Sequence, residues 1–326
     1  MKILVLGAAG MIGRKLIERL LRDGRLRDQS ISSIHAFDVV EGVFESTATL
    51  SVTTQAGDIT DAQIVAKMVA DRPDVIFHFA AIVSGEAEAD FDKGYRINLR
   101  GTQNLFDAII DQDGYVPRVV YASSIAVFGA PFPSSIEDEF HQTPLTSYGT
   151  QKAIGELLLA DYTRKGMMDG IGLRFPTIVV RPGKPNAAAS GFFSNIIREP
   201  LSGQPAVLPV EKDVMHWMAS PRSAVGFAIH AAEIDGDRVG PRRNLTLPGL
   251  AITVGEMIVA LEKVAGKKTA NLIEEKHDET IVGIVDNWPK RFIADRAVAL
   301  GFVAETRFED IIQAHVEDEL GGVLPT

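Results

Sequence analysis

The sequence contains no cysteine, which excludes disulfide bonds, thiolate metal sites and cysteine nucleophiles. Cations are also scarce, with 33 Lys and Arg against 43 Asp and Glu, so the net charge is −10. An acidic chain gains little from nucleic-acid phosphates, and we expect no nucleic-acid partner. No apolar run approaches the roughly 18 residues that a membrane helix needs, and we expect no membrane partner. A cysteine-free chain fits a reducing compartment, so we expect a cytoplasmic protein.

What the sequence does contain is a regular alternation of short apolar runs and helical patterns in its first half. The apolar runs predict strands at 2–6, 31–37, 50–54, 75–79, 116–122 and 170–175. The periodic stretches between them predict helices at 11–22, 61–70, 91–111 and 146–165. This order predicts an α/β fold, a Rossmann-type doubly wound parallel sheet with helices on both faces.

A glycine-rich turn joins the first strand to the first helix. Gly7 permits a tight turn, Gly10 lets the backbone approach a pyrophosphate, and Gly13 lets the helix pack closely on the sheet. The phosphates would then lie at the positive end of the helix dipole. We therefore predict cofactor contacts from the residues of this turn, namely Gly7, Ala9, Gly10, Met11, Ile12 and Gly13.

Acidic residues at the next two strand ends indicate which dinucleotide is bound. Asp38 ends the second strand, 25 residues beyond Gly13, where a carboxylate accepts hydrogen bonds from the ribose hydroxyls. It would repel a 2′-phosphate, and residues 39–46 include no Arg or Lys, so the pattern favours NAD over NADP. A solvated strand-end aspartate is the alternative. Asp58 and Ile59 follow the third strand as an adenine contact, or Asp58 serves only as a helix cap.

The pattern changes after Pro176. Prolines and glycines punctuate residues 176–221 and predict loops and short elements, and helices return at 223–232, 254–265 and 308–319. We therefore divide the chain into an NAD-binding Rossmann domain, residues 1–176, and a smaller, mainly substrate-binding region, residues 177–326. Some segments of the second region can return to the Rossmann domain.

A serine pair, a tyrosine and a lysine form the candidate catalytic group. Tyr148 and Lys152 are four residues apart on a helix, so they share one face. A phenol titrates near pH ~10, and a nearby ammonium favours its ionised form. Ser123 and Ser124 follow a buried strand and therefore lie at the carboxyl edge of the sheet, where ligands bind.

With these pieces in order, the chain resembles the extended short-chain dehydrogenase/reductase family, also called the NAD-dependent epimerase/dehydratase family. The resemblance covers the first 185 residues or so, through the segments 7–13, 78–81, 98–102, 123–129, 148–152 and 173–176. It implies that Tyr148 is the general acid/base, that Ser124 orients the substrate oxygen and that Lys152 holds the nicotinamide ribose. It also implies cofactor contacts from Phe79, Ala80, Ala81, Asn98, Ser123, Tyr148, Lys152 and Pro176.

Several segments depart from the sugar-nucleotide members of the family. Val127-Phe128-Gly129 stands where those members carry Val-Tyr-Gly, and Pro176-Thr177 stands where they carry Phe-Asn. Residues 78–85 are similar to the substrate loop of the threonine-dehydrogenase branch, where a serine in the place of Ser84 touches the substrate. The whole chain is most similar to members that oxidise the C2 hydroxyl of a four-carbon sugar acid. This resemblance implies substrate contacts from Ser84, Ser123, Ser124, Tyr148 and Thr177.

A small acid substrate needs a cation for its carboxylate, and the planar fork of arginine suits two oxygens best. The candidates are Arg222, Arg181 and Lys184, with His216 as a weaker one; each can equally be a solvated or interdomain charge. We expect Arg222, or another cation of the C-terminal region, to reach the cleft beside Ser124. The small residues 187–191 and the following aromatics would fold over a compact ligand. No histidine pair has metal-ligand spacing, so we expect no metal.

These residues predict NAD-dependent oxidation of the C2 hydroxyl of a small hydroxy acid. One alternative is a nucleoside-diphosphate-sugar epimerase with tightly bound NAD, and another is a non-catalytic NAD-binding regulatory protein. A homodimer is possible, because helices in the positions of 91–111 and 146–165 pair in many relatives.

Overall fold

The computed structural model describes residues 1–183 and 190–324. Its strands are β1 Lys2–Leu6, β2 Arg25–Leu26, β3 Gln29–Ser30, β4 Ser33–Asp38, β5 Ser51–Ala56, β6 Val75–His78, β7 Arg118–Ser124, β8 Asp169–Phe175, β9 Thr177–Ile178, β10 Ala206–Leu208, β11 Met215–Ala219, β12 Asn244–Thr246, β13 Leu250–Thr253 and β14 Ile273–Glu275. Its α-helices are α1 Met11–Asp23, α2 Ala62–Ala70, α3 Ser84–Ala89, α4 Phe91–Gly94, α5 Gly101–Ile110, α6 Ser147–Arg164, α7 Gly191–Leu201, α8 Pro221–Glu233, α9 Gly236–Val239, α10 Val254–Ala265, α11 Lys267–Ala270, α12 Glu279–Val285, α13 Asp295–Ala299 and α14 Phe308–Glu319.

The central sheet has the order β12-β8-β7-β6-β1-β4-β5, and every neighbouring pair is parallel. The chain runs outward from β1 to β5 and then returns to β6 on the other side of β1. The switch point therefore lies between β1 and β6, where ligands bind in open α/β sheets. The predicted Rossmann-type parallel sheet is confirmed.

Helices cover both faces of this sheet because successive side chains of a strand point to opposite faces. Leu4 and Leu6 pack in the core under α2, α5 and α6, whereas Ile3 and Val5 pack in the core under α1 and α8. Fully buried strands of this kind are continuous apolar runs, which is why the strands could be recognised in the sequence.

The C-terminal region divides between two structures. β12 adds to the edge of the central sheet, and α8 packs against α1. Of the other strands, β13, β11 and β9 form a small sheet in that order, and β10 and β14 form a two-stranded sheet. A second apolar core includes Phe193, Ile197 and Leu261. The candidate cation Lys184 lies outside the described residues, and so do residues 187–189 of the segment that was expected to close over the ligand.

Two local expectations need correction. The helix α7 occupies a stretch where the prolines predicted loops; Phe193 and Ile197 supply its buried face, and Pro200 lies in its last turn. The predicted helix 91–111 is divided by a π-helical segment, Tyr95–Arg100, between α4 and α5. Among the described residues, no helix combines the length and apolar character needed to cross a membrane.

Candidate active site

A backbone cradle forms at the switch point, where the turn after β1 meets the chain after β6. Gly7 has φ +87°, and a Cβ atom at this position would lie 2.7 Å from the backbone nitrogen of Ala80. A Cβ atom on Gly13 would lie 2.2 Å from the carbonyl oxygen of Gly7. Only glycine fits either position, which gives the tight turn and the close packing of helix on strand that are typical of a dinucleotide-binding loop.

The N-terminus of α1 is open toward this cradle. Gly10 occupies the N-cap position, and no side chain of the described residues caps the helix there. Asp38 lies beside the turn: its carboxylate accepts hydrogen bonds from the Ala9 amide at 2.9 Å and from the Val39 amide at 2.7 Å. Uncapped amides suit the phosphates, and the carboxylate suits the ribose hydroxyls, so the residues present fit NAD.

The second half of the cradle is fixed by Asn98. Its side-chain oxygen accepts a hydrogen bond from the Ile82 amide at 2.8 Å, and its amide donates to Gln151 on α6 at 2.8 Å. Asn98 thus fastens the segment after Phe79, Ala80 and Ala81 to the helix of the candidate triad. Sequence reasoning missed Gln151, although it lies between Tyr148 and Lys152.

Asp58 follows β5, and the structure excludes one of the two roles predicted for it. Asp58 accepts a hydrogen bond from the Thr60 amide at 2.8 Å, whereas Asp61 caps α2. Ile59 is buried against Gly101 of α5. Asp58 is therefore not the helix cap, and its contact with adenine remains a prediction.

The structure brings Ser124, Tyr148 and Lys152 together at the carboxyl end of β7. The N-cap Thr146 starts α6 there, and the Lys152 ammonium donates to the carbonyl of Ala122 at 2.8 Å. The ammonium lies 5.7 Å from the centre of the Tyr148 ring. The hydroxyl of Ser124 lies close enough to the phenol of Tyr148 to lower its pKa.

Burial sets the protonation of this group. Burial raises the pKa of Tyr148 to about 12, while the charge of Arg181 and the hydrogen bond with Ser124 act in the opposite direction. Burial also lowers the pKa of Lys152 to about 8, and the carboxylate of Glu156 opposes that change. The site therefore holds a phenol whose pKa depends on the cations that are placed beside it.

Ser123 does not face the substrate cleft, which corrects its prediction as a substrate contact. Its hydroxyl hydrogen-bonds to the buried carboxylate of Glu156, and the residue is buried. The cause is the alternation of a β-strand, which turns Ser123 and Ser124 to opposite faces of the sheet.

Thr177 and His216 meet on the small sheet. The Thr177 hydroxyl lies 2.6 Å from Nε2 of His216, and the imidazole stacks on Phe193 with ring centres 5.3 Å apart. Burial lowers the pKa of His216 to about 4, so the ring is neutral near pH 7. His216 is thus a hydrogen-bonding group here and a poor partner for a carboxylate.

Of the candidate cations, the structure brings Arg181 to the triad and leaves Arg222 away from it. The charge of Arg181 acts on both Tyr148 and His216. Arg222 lies at the start of α8 and pairs with Glu317 at 2.9 Å and Asp318 at 2.6 Å, with about half of its side chain exposed (47%). The expectation that Arg222 reaches the cleft is wrong, because the acidic end of α14 holds it at the surface.

Ser84 begins the short helix α3 and is exposed. That helix is anchored at the start of α6, because Glu88 accepts a hydrogen bond from the Ser147 amide at 2.9 Å. Ser84 therefore lies on a helix tied to the residue before Tyr148, and its contact with substrate remains a prediction. Pro176 lies buried between β8 and β9.

The cradle, the acidic strand end and the neighbouring Ser–Tyr–Lys group define a dinucleotide-binding protein of the Rossmann class. No group of His, Asp and Glu residues in the described part of the chain could hold a metal ion. The chain belongs to the NAD dependent epimerase/dehydratase family, whose model matches residues 3–218.

Named relatives narrow the comparison. The chain is 43% identical to a D-erythronate dehydrogenase of Cupriavidus necator over 98% of both chains. It is 37% identical to a D-erythronate dehydrogenase of Haemophilus influenzae over 98% of this chain and 100% of the relative. A solved structure described as the nucleoside-diphosphate-sugar epimerase from Agrobacterium tumefaciens is 60% identical, with a TM-score of 0.97 over 100% of this chain and 96% of that chain.

Proposed function

We propose that the chain oxidises the C2 hydroxyl of a small sugar acid, D-erythronate to 2-oxo-tetronate, with NAD as the acceptor. The two dehydrogenase relatives match essentially the full chain, the small sheet included, and this supports a shared substrate class. The proposal rests on one observation above all, the partly buried Arg181, whose charge lowers the pKa of Tyr148.

Arg181 has the properties of a carboxylate receptor. Its Nε donates to the Ile178 carbonyl at 2.9 Å and its Nη2 donates to Ser190 at 3.2 Å, which hold the guanidinium in place. Among the described residues, no Asp or Glu forms an ion pair with it. A partly buried cation without a counter-charge of its own favours an anionic ligand, and the remaining N–H donors suit a carboxylate.

The side chains then divide the chemistry. Tyr148 takes the proton of the C2 hydroxyl, Ser124 orients the reacting oxygen through its hydroxyl, and Lys152 supplies the positive charge that favours the ionised phenol. When bound, NAD supplies the acceptor for the C2 hydride. Arg181 fixes the carboxylate next to that carbon, so the C2 hydroxyl is the one presented to Tyr148.

The alternative is an epimerase that acts on a nucleotide sugar, which the description of the Agrobacterium structure favours. The experiment is an NADH-absorbance assay with D-erythronate and related hydroxy acids, run beside a test for epimerisation of UDP-sugars. We expect one NADH for each acid oxidised and no epimerisation. Epimerisation of a UDP-sugar without net NADH, together with inert acids, would replace the proposal by the alternative.

We also make a proposal about the assembly of the protein and one about its location in the cell. We propose a homodimer through α4, α5 and α6, on which Phe91 (58%) and Leu157 (63%) expose unusual amounts of apolar surface. Light scattering tests this, and a monomeric mass at micromolar concentration would contradict it.

The cytoplasmic location is likewise proposed, and cell fractionation tests it.

A further inference from the structure

A buried carboxylate lies directly beneath the candidate triad. Glu156 on α6 is inaccessible to solvent, yet it is surrounded by donors. Arg174 donates to both of its oxygens, with Nε at 3.0 Å from each and Nη2 at 2.7 Å. Ser123 and Gln142 complete the shell by hydrogen bonds to the same carboxylate. Such a fully satisfied buried network is rigid.

Ser123, Glu156 and Arg174 are each close in sequence to a site residue, and they lie on three different elements. Ser123 precedes Ser124 at the end of β7, and Glu156 follows Lys152 by one helical turn. Arg174 comes three residues before Thr177, at the end of β8. One carboxylate therefore holds in register the three segments from which the triad and the small sheet emerge.

The other side of the network faces the C-terminal region. The Arg174 guanidinium lies 5.0 Å from the centre of the Phe128 ring, and Phe128 packs on Phe292. Gln142 belongs to the loop between β7 and α6. The network thus also contacts the apolar cluster that includes Phe128 and Phe292.

From this arrangement we propose that Glu156 is a positioning residue, whose carboxylate, held by Arg174 and Ser123, aligns Ser124 and Lys152 with Tyr148. Glu156 does not touch the substrate, because it is fully buried. The inference rests on the proposed function only in its assay, since either reaction would use the same triad.

The carboxylate also supplies charge. The titratable groups that face the Lys152 ammonium are Glu156, His78, Tyr121 and Tyr148. Burial lowers the pKa of Lys152, and among these groups Glu156 raises it. Without the carboxylate, Lys152 loses its proton at a lower pH, so the alkaline limit of activity moves to lower pH.

The test uses Glu156→Gln, which keeps the shape, and Ser123→Ala, which removes only one donor. A small misplacement of a catalytic group can cost up to about a hundredfold in rate. We therefore expect kcat to fall tenfold to a hundredfold in Glu156→Gln, while KM for the acid and the Kd for NAD stay nearly constant. Ser123→Ala should lower kcat less, and only Glu156→Gln should move the alkaline limit.

The chain offers a matched control at the opposite end of the same sheet. Arg118 on β7 pairs with Asp169 on β8 at 2.7 Å, the same distance as the pair between Arg174 and Glu156. Asp169→Asn should lower the melting temperature and leave kcat and its pH profile unchanged. A comparable loss of kcat in Asp169→Asn would reduce the effect to stability and overturn the inference.

Three further outcomes are distinguished. If Glu156→Gln folds and retains kcat within twofold, Glu156 has no positioning role. If Glu156→Gln fails to fold, Ser123→Ala decides: unchanged kcat overturns the inference, and lowered kcat at constant KM supports it. If the wild-type protein epimerises UDP-sugars instead of oxidising acids, the proposed function fails, and the same variants are compared on that reaction.

Discussion

Removing the Arg181 guanidinium should separate substrate binding from cofactor binding. Two of its donors are already used by Ile178 and Ser190, which leaves the rest of the fork for a carboxylate. A hydrogen bond to a charged group contributes about 1.5–3 kcal/mol. The side chain is partly exposed, so we take about 3 kcal/mol for the whole contact, which corresponds to roughly a hundredfold in affinity.

The assay is the KM for D-erythronate of Arg181→Met, measured by NADH formation. We expect KM to rise about a hundredfold while the Kd for NAD is unchanged. Because Arg181 lowers the pKa of Tyr148, the variant should also need a higher pH to reach its maximal kcat. Arg222→Met is the matched control: its exposed pairs with Glu317 and Asp318 contribute about 0–1 kcal/mol, and its KM should not change.

An Arg181→Met enzyme whose KM stays within about threefold of the wild type would refute the carboxylate assignment. A raised KM in Arg222→Met alone would return the role to Arg222. A normal KM in both variants, with tight binding of UDP-glucose, would favour the epimerase.

Three further predictions concern the proton acceptor Tyr148, the choice between NAD and NADP, and the pH dependence of stability. Tyr148→Phe should lower kcat by about 10² to 10⁴ and leave NAD affinity unchanged in a fluorescence titration; near-normal turnover would exclude Tyr148 as the base. The wild type should prefer NAD to NADP, and Asp38→Ala should weaken NAD binding about tenfold to a hundredfold by calorimetry; a preference for NADP would contradict the role of Asp38. The buried His216 has a folded pKa of about 4, below its unfolded value, so its contribution to stability is present above pH ~6.5 and is lost as the pH falls through 4. Chemical denaturation should show this slope, at most about 1.4 kcal/mol per pH unit, and His216→Gln should flatten it; an equal slope in both proteins would contradict the assignment.

Most of the fold could be predicted from local patterns in the sequence. The buried parallel strands could be recognised because they are apolar runs. The glycines at positions 7 and 13 could be recognised because the backbone packs too closely there to leave room for a Cβ atom. The same locality explains why Tyr148 and Lys152 lie together as predicted, because a spacing of four on a helix fixes their relation without tertiary information. Their catalytic role stays a prediction. Helix α7 was missed because its apolar face is completed only by a second core that the sequence does not reveal.

Long-range charge pairing was beyond sequence reasoning. Arg181 and Arg222 both lie in a proline-rich region, and nothing in the sequence shows which of them faces the site. The structure distinguishes them because Arg222 pairs with the acidic end of α14, about 95 residues after it in the chain. The sequence likewise does not show which of the two serines, Ser123 or Ser124, faces the site. The structure shows it, because successive side chains of β7 point to opposite faces of the sheet. Glu156 carried a usable signal, since it continues the spacing of Tyr148 and Lys152 by one more turn on a buried face.

The junction of β8 and β9 explains how this fold can change substrate without changing cofactor. β8 belongs to the central sheet and ends at Phe175; after Pro176 the chain enters the small sheet through Thr177, and Arg181 follows within one short segment. The side chains that we propose to select the substrate therefore follow directly on a strand of the central sheet, at the point where the chain passes from the first core, which includes Ile178, to the second, which includes Val179. Substitutions after Pro176 can alter the ligand while the cradle at Gly7 stays intact. Dehydrogenase and epimerase relatives can thus share one cofactor site, and under the proposed function Arg181 would decide between the two reactions in this chain.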